Sequence, residues 1–550
     1  MIIILYPFVL QFRWFFILSV FLTLKNAIFL SFSAYLGVID WPNAFACNIC
    51  STNEDFWNLF ATVLRKGIEL FVPKRSIRVN SFCNVFPKPL RKKQAMRRKL
   101  WRKLKKSPTQ ANRIAYQRSS VSCKLAIQQF FVERESAVLN SGRPNAFYDY
   151  VRTNMKVKRR IDFFKQPDGS LVEEPVEQAK MFNEFFVSVH TSDDGVIPTF
   201  DVPSLVSRTS DVCFSPAVVL SALKRVKSIC SAGIDGFPNI LYKKLAVGLA
   251  FPLSKIFEKS FLTGSVPNEW KVSIVTPIFK NGSPLSVSNY RPVSLTCVAC
   301  RVMERIILDE LLRNFLCQNL LIEDQHGFLP HLSTVTNLLR VFQSVSFNFS
   351  KKFRTDIVYI DFAKAFDKVS HPKLMRKLHA YGVSGSLFSW IESFIFERVQ
   401  RVKVCNSFST DLSVRSGVPQ GSVLGPFLFL IYVNDIFSCV VPPVKPAFYE
   451  DDLKLFVYVH SDSDIQCLNE SLNLLYEWSV KWQLPISRDK CFCLTICREK
   501  PLLAYILCNT ALKQVELCKD LGVSIDSCLS FKQHYQNIVA EANQIMFLLF

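Results

Sequence analysis

The chain has 550 residues, of which 49% are hydrophobic and only 17 are glycine, which excludes a low-complexity or disordered protein and leaves room for about three or four domains with a sizeable core. A formal charge of +22 points to a polyanionic partner, either nucleic acid or an acidic membrane surface. The 18 cysteines are scattered without dense spacing, which excludes a small disulfide scaffold and reads as the reduced, mostly buried thiols of an intracellular protein.

Residues 1–39 hold only two charges, Arg13 and Lys25, and these divide the stretch into apolar runs shorter than the ~20 residues a bilayer-spanning helix needs. The segment is expected to be either a membrane anchor or an extension foreign to the rest of the chain, without a clear secretory leader. Cys47/Cys50 and Cys297/Cys300 are two CxxC pairs far apart in sequence with no histidine near either, so no zinc site is expected. EDFWNLFATVLRKGIELFV (54–72) has the spacing of an amphipathic helix.

KPLRKKQAMRRKLWRKLKK (88–106) carries 11 Lys or Arg and no acid, inside a stretch from Leu70 to Val132 with 17 basic residues and no Asp or Glu. A solvated basic helix is one account. Cations at that density repel one another in a free helix, so phosphate contact is the better one. Arg91, Lys92, Lys93, Arg97, Arg98, Lys99, Arg102 and Lys103 are then the nucleic-acid-binding candidates; a nuclear import signal is another use of the same run. Residues 134–190 read as helical with a loop at QPDGSL (166–171), where Asp168-Gly169 marks a turn. A Ser/Pro/Thr linker follows near 191–210, and from Phe214 strands and helices alternate.

TDIVYIDFAKAFDKVSH (355–371) begins as an apolar strand, Ile357–Ile360, that delivers Asp361 at its end, with Asp367 six residues later. Ser370 and Pro372 then open a helix that presents Leu374, Leu378 and Tyr381 on one face and stops at Gly382. RSGVPQGSVLGPFLFLIYVNDI (415–436) keeps its loop backbone open to close approach through Pro419, Gly421 and Gly425, and Gly425-Pro426 begins an apolar helix through Ile436. AFYEDDLKLF (447–456) sets Glu450, Asp451 and Asp452 between strand-like flanks, as at the bend of a hairpin. Like charges so close are either solvated by water or gathered for a cation. Carboxylates delivered from separate strands suit divalent metal ions.

With these elements in this order, the chain resembles the reverse transcriptases of non-LTR (LINE-type, jockey/CR1-like) retrotransposons. NGSPLSVSNYRPVSLTCVACRVMERII (281–307) looks like the family's fingers segment, QHGFLPHLSTVTNLL (325–339) like its next block, and DFAKAFDKVSH like its first catalytic motif. WSVKWQLPISRDKC (478–491) and LGVSIDSCLSFKQH (521–534) resemble the blocks that close and follow the palm, and FNEFFVSVHT (182–191) the stretch ahead of the polymerase. The likeness covers roughly residues 40–545. It implies an α+β, right-hand polymerase with an antiparallel-sheet palm, fingers and a partial thumb, preceded by a helical basic region. The expected division is 1–39 apolar segment, 40–140 helical basic linker, 141–213 helical pre-polymerase region, 214–490 fingers and palm, and 491–550 end of the palm with a truncated thumb.

The resemblance also implies an RNA-directed DNA polymerase that takes an RNA template, a DNA primer and dNTPs, and uses two Mg²⁺ ions, with Mn²⁺ as a substitute. Asp361, Asp451 and Asp452 become the metal ligands and catalytic carboxylates, with Lys490 placed to protonate pyrophosphate. Lys280 and Arg291 would grip the triphosphate, Phe366 would exclude the ribose 2′-hydroxyl, and Gln420 with Gly421 would meet the nucleotide. Taken singly, each has a plainer account as a turn, cap, core or surface residue.

The chain departs from the family in three places. Glu450 stands where Ala is common, a change expected to alter ion affinity, raise a neighbouring Asp pKa or disturb the hairpin, and so to reduce activity. His331-Leu332 stands where Gly-Arg is typical. A fragmentary copy is the third expectation, lacking an endonuclease region ahead of the polymerase and most of a thumb. A catalytically inactive nucleic-acid-binding remnant and a membrane-tethered basic protein with contact through residues 1–39 are the competing expectations. The expected location is nuclear or cytoplasmic.

Overall fold

A computed structural model describes residues 26–46, 51–72, 86–142, 150, 163–166, 169–199, 207–228, 232–497 and 505–549. The first 25 residues, Cys47, Cys50 and Asp168 lie outside them. The chain divides into two compact units. One comprises the described residues up to Val72 and from Phe163 through Tyr535, and the other those between Phe86 and Tyr150 with the end of the helix Lys532–Leu549.

The larger unit is built on two sheets. Its principal strands are β1 (Val272–Phe279), β2 (Tyr290–Leu295), β3 (Arg354–Asp361), β4 (Val399–Val404), β5 (Lys445–Tyr449), β6 (Asp452–Val459), β7 (Phe492–Ile496) and β8 (Lys513–Val515). In the first sheet β1 pairs antiparallel with β2 and parallel with β4. The second has the order β8-β7-β3-β6-β5, antiparallel throughout except for the parallel edge pair β7/β8. Alternation along β3 and β6 splits their side chains between two cores. Val358, Ile360, Leu453, Leu455 and Val457 face the main one, while Ile357 and Phe456 face a smaller one with Val341, Val345, Leu494 and Ile525.

The helices follow from local sequence. GPFLFLIYV at Gly425–Val433 is apolar all round and all but one of its residues are buried, as such a helix must be; the chain continues as a 3₁₀ turn from Asn434 to Cys439. Ser370 caps His371–Ala380, its hydroxyl accepting from the Lys373 amide at 3.4 Å. Leu374, Leu378 and Tyr381 are buried beneath it, and Gly382 ends it at φ 83°. Asn53–Phe71 opens with a capping box between Thr52 and Asp55. Trp57 meets Trp270 edge-on at 5.1 Å, and its indole N–H donates to Glu269 at 2.6 Å.

One expectation from composition is corrected, the helical reading on both sides of 166–171, whereas the anchor reading of residues 1–39 falls largely outside the described residues. The apolar N-terminal segment includes a helix, Asn26–Val38, whose Phe32 and Leu36 are buried in the main core, with Phe32 stacked on Phe71 at 5.5 Å. The compact units therefore do not break at 39/40, and no helix among the described residues is long and apolar enough to cross a membrane. The loop at 166–171 joins two short antiparallel strands, Phe164–Lys165 and Leu171–Val172, rather than two helices. The described helices of residues 134–190 are the end of Gln110–Asn140 and Pro175–Ser188.

In the smaller unit the basic helix Lys88–Lys106 packs on Gln110–Asn140 across a Ser107-Pro108-Thr109 turn. Thr109 accepts from the Asn112 amide at 3.3 Å and Trp101 meets Tyr116 at 5.0 Å.

His331 has φ 64° and an exposed side chain, in the left-handed region that favours glycine. His331→Gly is expected to raise stability by about 1 kcal/mol in urea unfolding. A lower midpoint would mean that the imidazole compensates for the backbone.

Candidate active site

The register of β3 on β6 builds the site. Asp452 is the residue opposite Asp361, and the same pairing puts Lys454 opposite Tyr359 and Phe456 opposite Ile357. Glu450 and Asp451 form the two-residue turn between β5 and β6, with Tyr449 opposite Asp452. Three of the sequence-predicted residues, Asp361, Asp451 and Asp452, thus meet at one end of the second sheet. Glu450 takes φ 59°, a conformation that hairpin turns usually give to Gly, Asn or Asp. A segment from the block at 325–339 backs the turn. The buried Gln325 accepts through Oε1 from the Gly327 amide at 2.7 Å and the Glu450 amide at 3.3 Å. Gly327 lies so close that a Cβ there would come within 2.3 Å of the Glu450 nitrogen.

Charge at this end is perturbed as crowding requires. Burial first, then Asp451 and Asp452, push Glu450 up to about 7. Partial desolvation, with Asp451 and Asp361 beside it, pushes Asp452 up to about 6. Asp451 is raised by burial and by Asp361, against the pull of Arg291 and Lys280. Like-charge repulsion at the turn is mutual, so the three acids disfavour one another's charged forms, with Glu450 pushed highest.

Cations face these acids. Lys490, in the 3₁₀ turn Arg488–Lys490, donates to Asp361 Oδ1 at 2.9 Å with both side chains partly exposed. The turn is held by the Ser487 amide donating to the Asp361 carbonyl at 2.7 Å. Lys280 follows β1, and its pKa is lowered by burial and then by Arg291 and Lys490, while Asp361 and Asp451 oppose the shift. Lys280, Arg291 and Lys490 are therefore electrical neighbours of one another and of the acids.

The loop before Gly425 is tied to a carboxyl whose part the sequence did not reveal. Asp367 is pushed up to about 6 by burial, and Gln420 Nε2 donates to its Oδ1 at 2.7 Å. One of the two Gln420 side-chain N–H groups is thereby engaged within the protein. Its carbonyl accepts from the Ser294 amide at 2.7 Å, which fastens the loop to β2. Gly421 at φ 120° lies where a Cβ would come within 2.5 Å of the Ser294 oxygen, so its glycine serves this close approach. Phe366 stacks on Phe429 at 4.5 Å and meets Phe328 edge-on at 6.0 Å. Its ring is half-buried. Beyond Asp367, sequence reasoning passed over Gln325 and Gly327, whose only signal was membership of the QHGF block.

Among the described residues no three His, Cys, Asp or Glu side chains are gathered closely enough to hold an ion by themselves. The donor set nevertheless suits a hard divalent cation, because Mg²⁺ is commonly held by one or two carboxylates together with substrate phosphates. Cys297 and Cys300 are buried, and burial raises both thiols. Of the basic candidates, Lys92, Lys93, Arg98, Lys99, Arg102 and Lys103 are exposed and Arg91 and Arg97 half-buried on Lys88–Lys106 of the smaller unit.

A carboxyl raised from its ordinary 4.5 to about 7 favours the folded state at low pH, and that contribution is lost as pH rises between those values. In EDTA, Glu450→Gly is therefore expected to raise Tm by about 2 °C or more near pH 8 and by less near pH 4.5. A gain independent of pH would assign the whole effect to the backbone.

Residues 278–525 match the family described as reverse transcriptase (RNA-dependent DNA polymerase). The chain is 27% identical over 493 residues to the "Probable RNA-directed DNA polymerase from transposon BS" of Drosophila melanogaster, covering 84% of this chain and 53% of that protein. It is 28% identical over 332 residues to the "Probable RNA-directed DNA polymerase from transposon X-element" of the same species, covering 59% and 36%. To the "RNA-directed DNA polymerase from mobile element jockey", again of D. melanogaster, it is 28% identical over 300 residues, covering 52% and 32%. The chain thus spans about half or less of the length of these curated relatives. The acids, the facing cations and the two sheets all lie within or beside the residues that match reverse transcriptases, and the relatives this chain resembles come from non-LTR retrotransposons.

Proposed function

We propose that this chain is an RNA-directed DNA polymerase, joining dNTPs to a primer 3′-hydroxyl along an RNA template. The observation that carries the proposal is the in-register pairing of Asp361 with Asp452, with Asp451 in the adjoining turn. Two Mg²⁺ ions would supply activation of the 3′-hydroxyl and neutralisation of the leaving pyrophosphate. Asp361, Asp451 and Asp452 are the residues that would hold them. Lys280 and Arg291 bind the triphosphate, where the planar guanidinium suits phosphate oxygens. Lys490, released from Asp361, is positioned to give a proton to the departing phosphate. Phe366 closes the pocket against a 2′-hydroxyl, and Gln420 acts by holding Asp367 and the loop in place.

Lys88–Lys106 is the proposed RNA contact, with its exposed cations releasing counterions on binding. A second account, a nucleic-acid-binding remnant without turnover, is favoured by one observation, the ionisable Glu450 in a left-handed turn position.

Primer extension on an RNA template separates the two. Asp451→Asn is expected to abolish extension while leaving RNA affinity within about twofold. Glu450→Ala is expected to increase the rate; equal rates would clear Glu450 of any inhibitory part. Changing Lys92, Lys93, Lys99 and Lys103 to Gln should weaken RNA binding and reduce the salt slope by about 0.7 for each phosphate no longer neutralised. An unchanged slope would remove this helix from the interface.

A further inference from the structure

Behind the Asp361/Asp452 row on the same face of the sheet lies a second row, Tyr359 opposite Lys454, and behind that an apolar row, Ile357 opposite Phe456. The middle row holds a buried charge. Lys454 is 1% exposed and its ammonium donates to both oxygens of Asp520 at 2.8 Å and to Asn337 Oδ1 at 2.9 Å. Asp520, 4% exposed, also accepts from the Tyr359 hydroxyl at 3.2 Å. Asn337 donates in turn to the Phe448 carbonyl on β5 at 3.1 Å. Four pieces of chain therefore converge on one ammonium: the helix Thr334–Ser350, β3, both strands of the hairpin that bears Asp451, and the small antiparallel pair Leu517–Asp520/Val523–Asp526.

We propose that Lys454 and Asp520 are positioning residues for the catalytic hairpin, so that the segment 517–526 fixes where Asp452 stands relative to Asp361. The proposal rests on the polymerase reading of those two acids. Its physical basis is the asymmetry of buried ion pairs, in which losing one partner strands a charge in the interior, whereas replacing both by apolar groups is often tolerated. Apolar packing alone could fill the space under the hairpin. The pair adds direction, because a bidentate carboxylate fixes the ammonium, and the ammonium is two residues from Asp452 along an extended strand whose side chains alternate in fixed sense.

The test compares Asp520→Asn with the double variant Lys454→Met/Asp520→Leu in the full chain, by amide hydrogen exchange of residues 448–455 and by primer extension. Both variants are expected to speed hairpin exchange about tenfold and to lower kcat about a hundredfold with KM for dNTP within twofold. The double variant is expected to keep the wild-type urea midpoint, which separates positioning from general stability. Wild-type kcat and hairpin protection in a folded double variant would overturn the proposal, as would faster exchange with unchanged kcat. If the unmodified chain itself extends no primer while Asp520→Asn still loosens the hairpin, the coupling stands and the polymerase reading fails.

Discussion

The molecule depends on one register. Antiparallel pairing brings residues directly opposite to within about 5 Å at Cβ, so matching Asp452 with Asp361 forces two carboxylates together. At that distance and an effective dielectric of 20, like charges repel by about 3 kcal/mol. Against this stand Val358, Ile360, Leu453, Leu455 and Val457 on one face and Ile357 and Phe456 on the other, all nearly inaccessible to solvent. Each contributes roughly 1.5–3 kcal/mol by leaving water, so the apolar rows outweigh the repulsion severalfold. A slip of one residue would turn every one of these side chains to the wrong face. The core thus holds a charged arrangement that the charged residues alone would disperse.

Support of the same hairpin comes from segments distant in sequence. Gln325 and Gly327 stand behind the turn, and Asn337 holds the β5 carbonyl at Phe448. On a separate element, the buried Glu304 accepts from the amides of Val423 and Leu424 at 2.7 and 2.9 Å, fixing the approach to the apolar helix from Gly425. Its carboxyl is raised by burial, while those two amides act in the opposite direction. Glu304 is thus stabilised by backbone amides and Asp520 by a fixed cation where the interior encloses them, which is how polar groups can be enclosed at acceptable cost. The acids of the turn, by contrast, remain crowded.

What could be read from the sequence was local. The strand ending in Asp361, the cap at Ser370, the helix from Gly425-Pro426 and the acidic bend each announce themselves within about ten residues through period, capping chemistry or turn composition. The docking of Asn26–Val38 could not be read, because apolarity alone does not distinguish a lipid environment from a protein core. The strands Phe164–Lys165 and Leu171–Val172 are two residues each, too short to show a period. Gln420 engages Asp367 only because the loop folds back over the turn after β3, a pairing that neither residue's neighbours encode. The convergence of the acids with Lys280, Arg291 and Lys490 was legible through family likeness and not through composition.

Glu450 carries two loads of different size. A left-handed conformation for a residue with a Cβ costs about 1–2 kcal/mol, a modest part of the 5–15 kcal/mol by which folded domains are held, so the fold tolerates it. Its charge acts elsewhere. With the carboxyl pushed up to about 7, it adds an anion to the turn as pH rises through that value, and that anion is stabilised by Arg291. On the proposed mechanism Arg291 is needed by the triphosphate, so the extra acid competes for the cation that substrate must recruit. The same anion lies beside Asp451 and Asp452, where it favours a divalent cation electrostatically. Whether the substitution helps or hinders is therefore decided by which is scarcer at the turn, positive charge on the protein or negative charge for the metal, and the pairing of Lys490 with Asp361 indicates that protein cations are already committed to these acids.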